Sequence, residues 1–251
     1  MTGRVGRPCK EERSVLQPLP GSERAERENR RMMSKTPNDA GAIQALLFDL
    51  GGVVIGVDFK RAFRIWADLA RCDPAELEQG FSFDEAYEQH ERGEIDAAGY
   101  FGALRRSLGL SLSDEQLTAG WNDIYLGVIA GMPALLSAAS RHFPLYAFTN
   151  SNPTHRDAWA GRFANELSVF RSIFVSSDLG LRKPDPEAFA AVAARTSLQV
   201  SELLFFDDAP DNVEGARIAG MPAVLVKSTT DVRKALMRLG IESQAPDEGY
   251  A

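Results

Sequence analysis

Cysteine is scarce in this 251-residue chain. There are two, Cys9 and Cys72, and neither belongs to a Cys-x-x-Cys pair. That excludes a disulfide scaffold and a cysteine-based zinc site, and it is compatible with a reducing cytoplasm. Histidine is almost as rare: His90, His142 and His155 lie far apart and form no zinc-ligand pattern. Long apolar runs are missing too. The longest candidate, from Ala42 to Val57, is interrupted by Asp49 and by glycines, so nothing reaches the roughly 18 residues a membrane span requires. Basic excess is absent: the formal net charge is −7 and the pI is near 5.1, which gives no support to nucleic-acid binding. What is present is ordinary for a soluble globular chain, with 44% hydrophobic and 25% charged residues. A core can form without disulfides or a structural metal. The expectation is a cytoplasmic protein, monomeric or weakly dimeric, whose partner is a small molecule and neither nucleic acid nor membrane.

Residues 1–40 stand apart from the rest. Nine basic residues face six acidic ones there, a balance of about +3, with almost no periodic apolar face. This composition predicts a disordered tail. It is too acidic for a transit peptide, and no apolar stretch follows the first arginines as a secretion signal needs. Met32 and Met33 offer an alternative translation start. From Ile43 onward the chain alternates strands and helices. Ala45 to Phe48, Leu145 to Phe148, Ile173 to Val175, Leu203 to Phe206 and Ala223 to Val226 read as buried strands. Pro186 opens a helix behind Asp185, and another runs from about Asn212 to Ala219 before Gly220 and Pro222. Such alternation predicts an α/β fold with a doubly wound, Rossmann-like parallel sheet. Residues 59–130 break the pattern with helical patches at Phe59–Ala70, Pro74–His90, Asp96–Leu108 and Ser113–Gly127 and no convincing strand. Asp73 before Pro74, and Ser113 with Gln116 three residues on, are helix-start signals. The organisation expected is a core of residues 41–58 and 131–240, a helical cap of residues 59–130 inserted after the first strand, and a C-terminal tail of residues 241–251.

In a doubly wound sheet, sites form at the carboxyl ends of the strands. Three of those ends are polar: Phe48-Asp49-Leu50-Gly51-Gly52, Phe148-Thr149-Asn150-Ser151-Asn152 and Phe206-Asp207-Asp208. Arg182-Lys183-Pro184 lies on the loop before the Pro186 helix. A carboxylate nucleophile, hydroxyl and amide donors, a lysine and an acidic pair are the inventory for moving a phosphoryl group through an aspartyl phosphate. Carboxylate and phosphate oxygens together also suit Mg²⁺. Each residue type has a plainer use: turn formation for Asp49, Thr149 and Asn150, a solvated surface for Lys183, helix capping for Asp207 or Asp208. Their order along the chain, each at a suitable strand end, favours chemistry.

These segments, together with Asn212-Val213-Glu214-Gly215-Ala216, resemble the four ordered motifs of the haloacid dehalogenase superfamily over about Ile43 to Leu239. Asp58-Phe59, Trp66-Ala67-Asp68-Leu69, Gln89 to Ile95 and Asp178 to Pro184 are similar to the bacterial α-D-glucose-1-phosphate phosphatase branch. The resemblance implies a Mg²⁺-dependent phosphatase acting on a small phosphorylated substrate. It implies that Asp49 attacks phosphorus and binds Mg²⁺, that the Gly51 carbonyl and Asp208 bind Mg²⁺, and that Asp207 is a further or alternative ligand. Thr149 and the Asn150 amide hold phosphoryl oxygens, and Lys183 neutralises charge on both Asp49 and phosphate. Asn212 stands where many relatives have another acid. Gly51 stands where most such phosphatases carry the aspartate that protonates the leaving oxygen, which leaves three alternatives: the leaving group departs easily, the proton comes from water or the cap, or the protein binds phosphorylated ligands with little turnover. At the end of a cap helix, His90, Glu91 and Arg92 read as a solvated charge run, with Arg92 the candidate for contact with substrate. His155 and Trp159 are expected to pack their helix. A dehalogenase would not need the acidic pair, and a phosphomutase would keep the acid that Gly51 replaces.

Overall fold

The structure, a computed structural model, describes residues 43–242. The expected N-terminal tail, the alternative start and nearly all of the C-terminal tail lie outside them. The strands are β1 (Ala45–Phe48), β2 (Ile55–Val57), β3 (Tyr125–Val128), β4 (Leu145–Thr149), β5 (Ser172–Val175), β6 (Leu203–Asp207) and β7 (Ala223–Leu225). Five of them form one parallel sheet in the order β5-β4-β1-β6-β7. β1 is central, which explains its unbroken apolar run: both of its faces are covered. Leu46 and Phe48 enter one hydrophobic core, Ala45 and Leu47 the other. Burying each of the leucine and phenylalanine side chains contributes roughly 1.5–3 kcal/mol. Phe48 stacks on Phe206 of β6 with ring centroids 4.5 Å apart, fixing the carboxyl ends of the two strands side by side.

The cap is inserted between β2 and β3. It comprises α1 (Lys60–Ala70), α2 (Pro74–Gly80), α3 (Glu85–Glu91), α4 (Ala97–Leu108) and α5 (Asp114–Asn122). Its core is aromatic. Trp66 of α1 stacks on Trp121 of α5, and Phe59, Phe81, Tyr87 and Tyr100 surround Trp121. Asp73 and Ser113 start their helices as the sequence suggests, accepting from the main-chain N–H of Ala75 and Gln116.

Two expectations for the cap need correction. Pro74–His90 is not one helix. Phe81 is extended and turns its ring onto Phe59 and Phe63, and Asp84 accepts from the Tyr87 N–H to start a second helix. The helix from Ser113 does not reach Gly127 either. It stops at Asn122, and Tyr125–Val128 pairs antiparallel with Ile55–Val57. The insert therefore contains a strand, in a pairing between residues about seventy apart that no local pattern reveals.

The remaining helices are α6 (Met132–Ser140), α7 (Pro153–Arg162), α8 (Ala164–Leu167), α9 (Ser176–Leu179), α10 (Pro186–Thr196), α11 (Pro210–Ile218) and α12 (Thr229–Arg238). α10 begins at Pro186, but Asp185 makes no side-chain cap bond. α11 starts two residues before Asn212. Ile241, assigned by sequence to the tail, is buried, and its N–H donates to the Leu236 carbonyl; its apolar side chain keeps the chain on the core to that point. Among the described residues no helix is long and apolar enough to cross a membrane.

Candidate active site

Asp49 follows the last residue of β1. Its N–H still donates to the Phe206 carbonyl, at 2.8 Å, so the sheet holds its main chain. Its carboxylate accepts from the Leu50 N–H at 2.7 Å and lies 3.0 Å from the Lys183 ammonium. The chain then turns tightly: Val54 and Ile55 donate to the Leu50 carbonyl, and Gly52 donates to Ile55. Gly52 has φ +74°, and a Cβ there would stand 2.1 Å from Asp208 Oδ2. Glycine is required at that position both by the backbone and by the carboxylate lying against it.

Lys183 is the hub. It is 1% exposed, and its Nζ lies 2.7 Å from Asp207 and 3.0 Å from Asp49. The rings of Phe148 and Phe205 flank the ammonium at 5.4 Å. Burial alone would depress its pKa, but Asp207 and Asp49 outweigh burial and hold it above the usual lysine value. The lysine stays charged. The solvated-surface alternative does not apply to it.

The Lys183 main chain is clamped from β4. The Asn150 side-chain nitrogen donates to the Lys183 carbonyl, and its oxygen accepts from the Lys183 N–H, both at 2.9 Å. The side-chain amide thus braces the lysine main chain through its oxygen and one N–H. Thr149 is buried beside it at the end of β4.

Asp207 is fully buried. One of its oxygens accepts from the Ala209 N–H at 2.8 Å, the other from Lys183, and the Asn212 amide reaches both at 3.1 Å. Asn212 thus serves Asp207. The capping alternative holds in part, since Asp207 tethers the entry to α11. Asp208 is more open, and its pKa is raised by burial first and by Asp207 second.

Oxygens of Asp49, Asp207 and Asp208 lie within 4.8 Å of one another. Three carboxylates and one lysine leave a formal charge of −2. Burial foremost, with Asp207 and Asp208 adding to it against Lys183, pushes the Asp49 pKa up to about 7. A site of oxygen donors with surplus negative charge fits a hard divalent cation such as Mg²⁺. Asp49 and Asp208 are the carboxylates best able to face such an ion, because the Asp207 oxygens are already occupied.

Arg92 is placed otherwise than its candidacy suggests. Its guanidinium pairs with Glu85 at 2.8 Å, Glu94 at 2.7 Å and Glu88 at 3.3 Å. Three glutamates use its donors, and no contact joins it to Asp49, Thr149 or Lys183. The rest of that segment is not a solvated face. His90 and Glu91 are buried, and Glu91 accepts from Arg182 Nε at 3.0 Å. His155 is buried too, stacked on Trp121 at 4.6 Å, with Nδ1 3.2 Å from Asn122 Oδ1.

A carboxylate held against a buried lysine and grouped with two further carboxylates at the ends of parallel strands fits a class: a hydrolase of phosphoric monoesters. Residues 43–220 match the haloacid dehalogenase-like hydrolase family, and the chain belongs to it. A phosphatase of Mycobacterium tuberculosis is 28% identical over 209 residues, covering 78% of this chain and 93% of that protein. The D-ribitol-5-phosphate phosphatase of Bacteroides thetaiotaomicron is 23% identical over 200 residues, covering 77% and 97%. A haloacid dehalogenase family enzyme of Bacteroides thetaiotaomicron, solved with magnesium and inorganic phosphate, superposes with a TM-score of 0.64 at 26% identity, covering 74% and 94%. A HAD-like hydrolase from Porphyromonas gingivalis, 24% identical with a TM-score of 0.67, shares the fold.

Proposed function

We propose that the chain is a Mg²⁺-dependent phosphatase of a small phosphorylated metabolite, a sugar phosphate such as glucose 1-phosphate, working in the cytoplasm through an aspartyl phosphate. The observation that carries this reading is the contact of Lys183 Nζ with Asp49 at 3.0 Å inside a buried, anionic site. Asp49 attacks phosphorus, and the bond from phosphorus to the leaving oxygen breaks. The leaving oxygen takes a proton from water. A second water hydrolyses the acyl phosphate and returns Asp49. Lys183 offsets the repulsion between two anions, and Thr149 with the Asn150 main chain receives phosphoryl oxygens. Asp49, the Gly51 carbonyl and Asp208, with Asp207 behind, would hold Mg²⁺, which would supply charge neutralisation on the phosphoryl group.

Gly51 carries no acid, and positioned acid catalysis is typically worth about 10²- to 10⁴-fold. The substrate class with the easier leaving group is therefore favoured, which points to the anomeric oxygen of a sugar 1-phosphate. Phosphate release across a panel of phosphometabolites, with and without Mg²⁺, tests the reading. Wild type is expected to turn over sugar 1-phosphates faster than 6-phosphates, and Asp49→Asn to be inert. Equal inactivity of both proteins across the panel would mean a binding protein on this scaffold, and equal rates on the two sugar phosphates would remove the leaving-group argument.

A further inference from the structure

Arg182 and Lys183 are neighbours in sequence, and they hold opposite sides of the molecule. Lys183 reaches Asp49 and Asp207 in the core. Arg182 reaches the cap: Nη2 and Nε lie 2.9 and 3.0 Å from Glu91 Oε2, and Nη1 lies 3.0 Å from Glu88 Oε1, both on α3. One planar guanidinium thus grips two glutamates on one helix face, which a lysine could not do with the same geometry. A second contact seats the same part of the cap. Gly93, just after α3, lies so close to α9 that a Cβ would stand 2.7 Å from the Ser177 carbonyl oxygen.

The connection between the two grips has little slack. Asn150 fixes both the N–H and the carbonyl of Lys183, so a shift of Arg182 is passed to a peptide already held on either side. Glu91 is 4% exposed and has left water to make this contact. Its Oε2 is taken by Arg182.

From this arrangement we infer that Arg182, Glu91 and Glu88 are positioning residues, forming a clasp that ties the seated cap to the placement of Lys183. The cap then reports its position to the reacting centre through one peptide bond. Only the kinetic readout of this clasp depends on the phosphatase reading above.

The test uses the full chain and the variants Glu91→Gln, Arg182→Gln and the two combined. Turnover of p-nitrophenyl phosphate with Mg²⁺ is measured alongside hydrogen–deuterium exchange of peptides covering residues 85–95 and 178–186. Each single variant is expected to lower kcat/KM about 10- to 100-fold, as small misplacements of catalytic groups do, and to raise exchange in both peptides together. The combined variant should be no worse than about twofold below the weaker single, because either change alone opens the clasp. Additive losses, or faster exchange at 85–95 with 178–186 and kcat unchanged, would overturn the inference. Should a buried variant not fold, Glu88→Gln on the more exposed leg decides the same question: coupled exchange supports the clasp, and exchange at the cap segment alone refutes it. If the protein hydrolyses no phosphomonoester, the phosphatase reading fails while the exchange result still decides the clasp.

Discussion

Replacing Gly215 by alanine adds one carbon at the closest approach between α11 and the lysine loop. A Cβ at 215 would stand 1.9 Å from the Pro184 carbonyl oxygen, 2.8 Å from its carbon and 3.0 Å from its Cβ. Real Cβ atoms essentially never come nearer than 3.0 Å, so helix or loop must give by about 1.1 Å. The obstacle is main chain and cannot rotate away. If the loop moves, it carries Lys183, the residue before Pro184. If the helix moves, it carries Asn212 and the entry from Asp207 and Asp208. Either way the site loses about 1 Å of alignment, which costs on the order of 10²-fold in kcat. Stability changes less. Overpacking costs roughly 1–3 kcal/mol, while alanine gains about 1 kcal/mol over glycine in a helix interior, leaving a net loss of about 0–2 kcal/mol. Urea unfolding and steady-state phosphatase assays on the same preparation separate the two effects. A Gly215→Ala protein that folds normally and keeps kcat within twofold of wild type would refute the idea that this contact sets the position of Lys183.

Other outcomes follow from the same geometry. Gly52→Ala places its methyl in the space of Asp208 Oδ2 and strains a backbone at φ +74°; the Mg²⁺ concentration for half-maximal activity should rise by about tenfold or more, read by metal titration, and an unchanged value would detach Asp208 from the ion. The pKa of His155 is depressed by burial, with His90 adding to it, from the ordinary 6.5 to about 3. The folded state therefore binds fewer protons than the unfolded chain between those values, so this contribution to stability is full above pH 6.5 and is lost as pH falls. At pH 5 the loss is about 2 kcal/mol, 1.5 pH units at roughly 1.36 kcal/mol each. His155→Phe should flatten the pH dependence of the urea midpoint by that amount, and a mutant slope equal to wild type would mean that His155 is not what titrates.

The parts of the fold legible in the sequence were those written locally. β1 announces itself because both faces are covered, so four consecutive apolar residues precede Asp49. The helix starts at Asp73 and Ser113 are legible because a cap is a contact between near neighbours. β3 was not legible, because Tyr125-Leu126-Gly127-Val128 becomes a strand only by pairing with Ile55–Val57 across the whole cap. The site divides in the same way. Asp49, Lys183 and Asp207 were visible as polar residues at strand ends, and their meeting follows from the parallel sheet. What Asn150 does was hidden, since an amide suited to phosphate and an amide that braces a main chain are the same residue in a sequence. Glu91 and Arg92, read alike as members of one charge run, part company for one reason. Which of two adjacent charges faces the core depends on the turn of α3, and the core supplies Arg182 as a partner for only one of them.

The adjacent glycines after Asp49 serve different needs, and the contrast bears on the chemistry. Gly52 is dictated by structure, since its φ and the oxygen of Asp208 leave no place for a side chain. Gly51 is not dictated in that way. A Cβ there would meet only Val57 Cγ2, at the ordinary contact distance of 3.5 Å. Crowding at the Cβ position therefore does not account for the glycine at 51. Under the proposed phosphatase mechanism, the missing acid places the demand on the leaving group. A substrate whose oxygen departs as a weak base needs no neighbour to protonate it, and an open, uncharged turn beside Asp49 spares an already anionic site a fourth carboxylate.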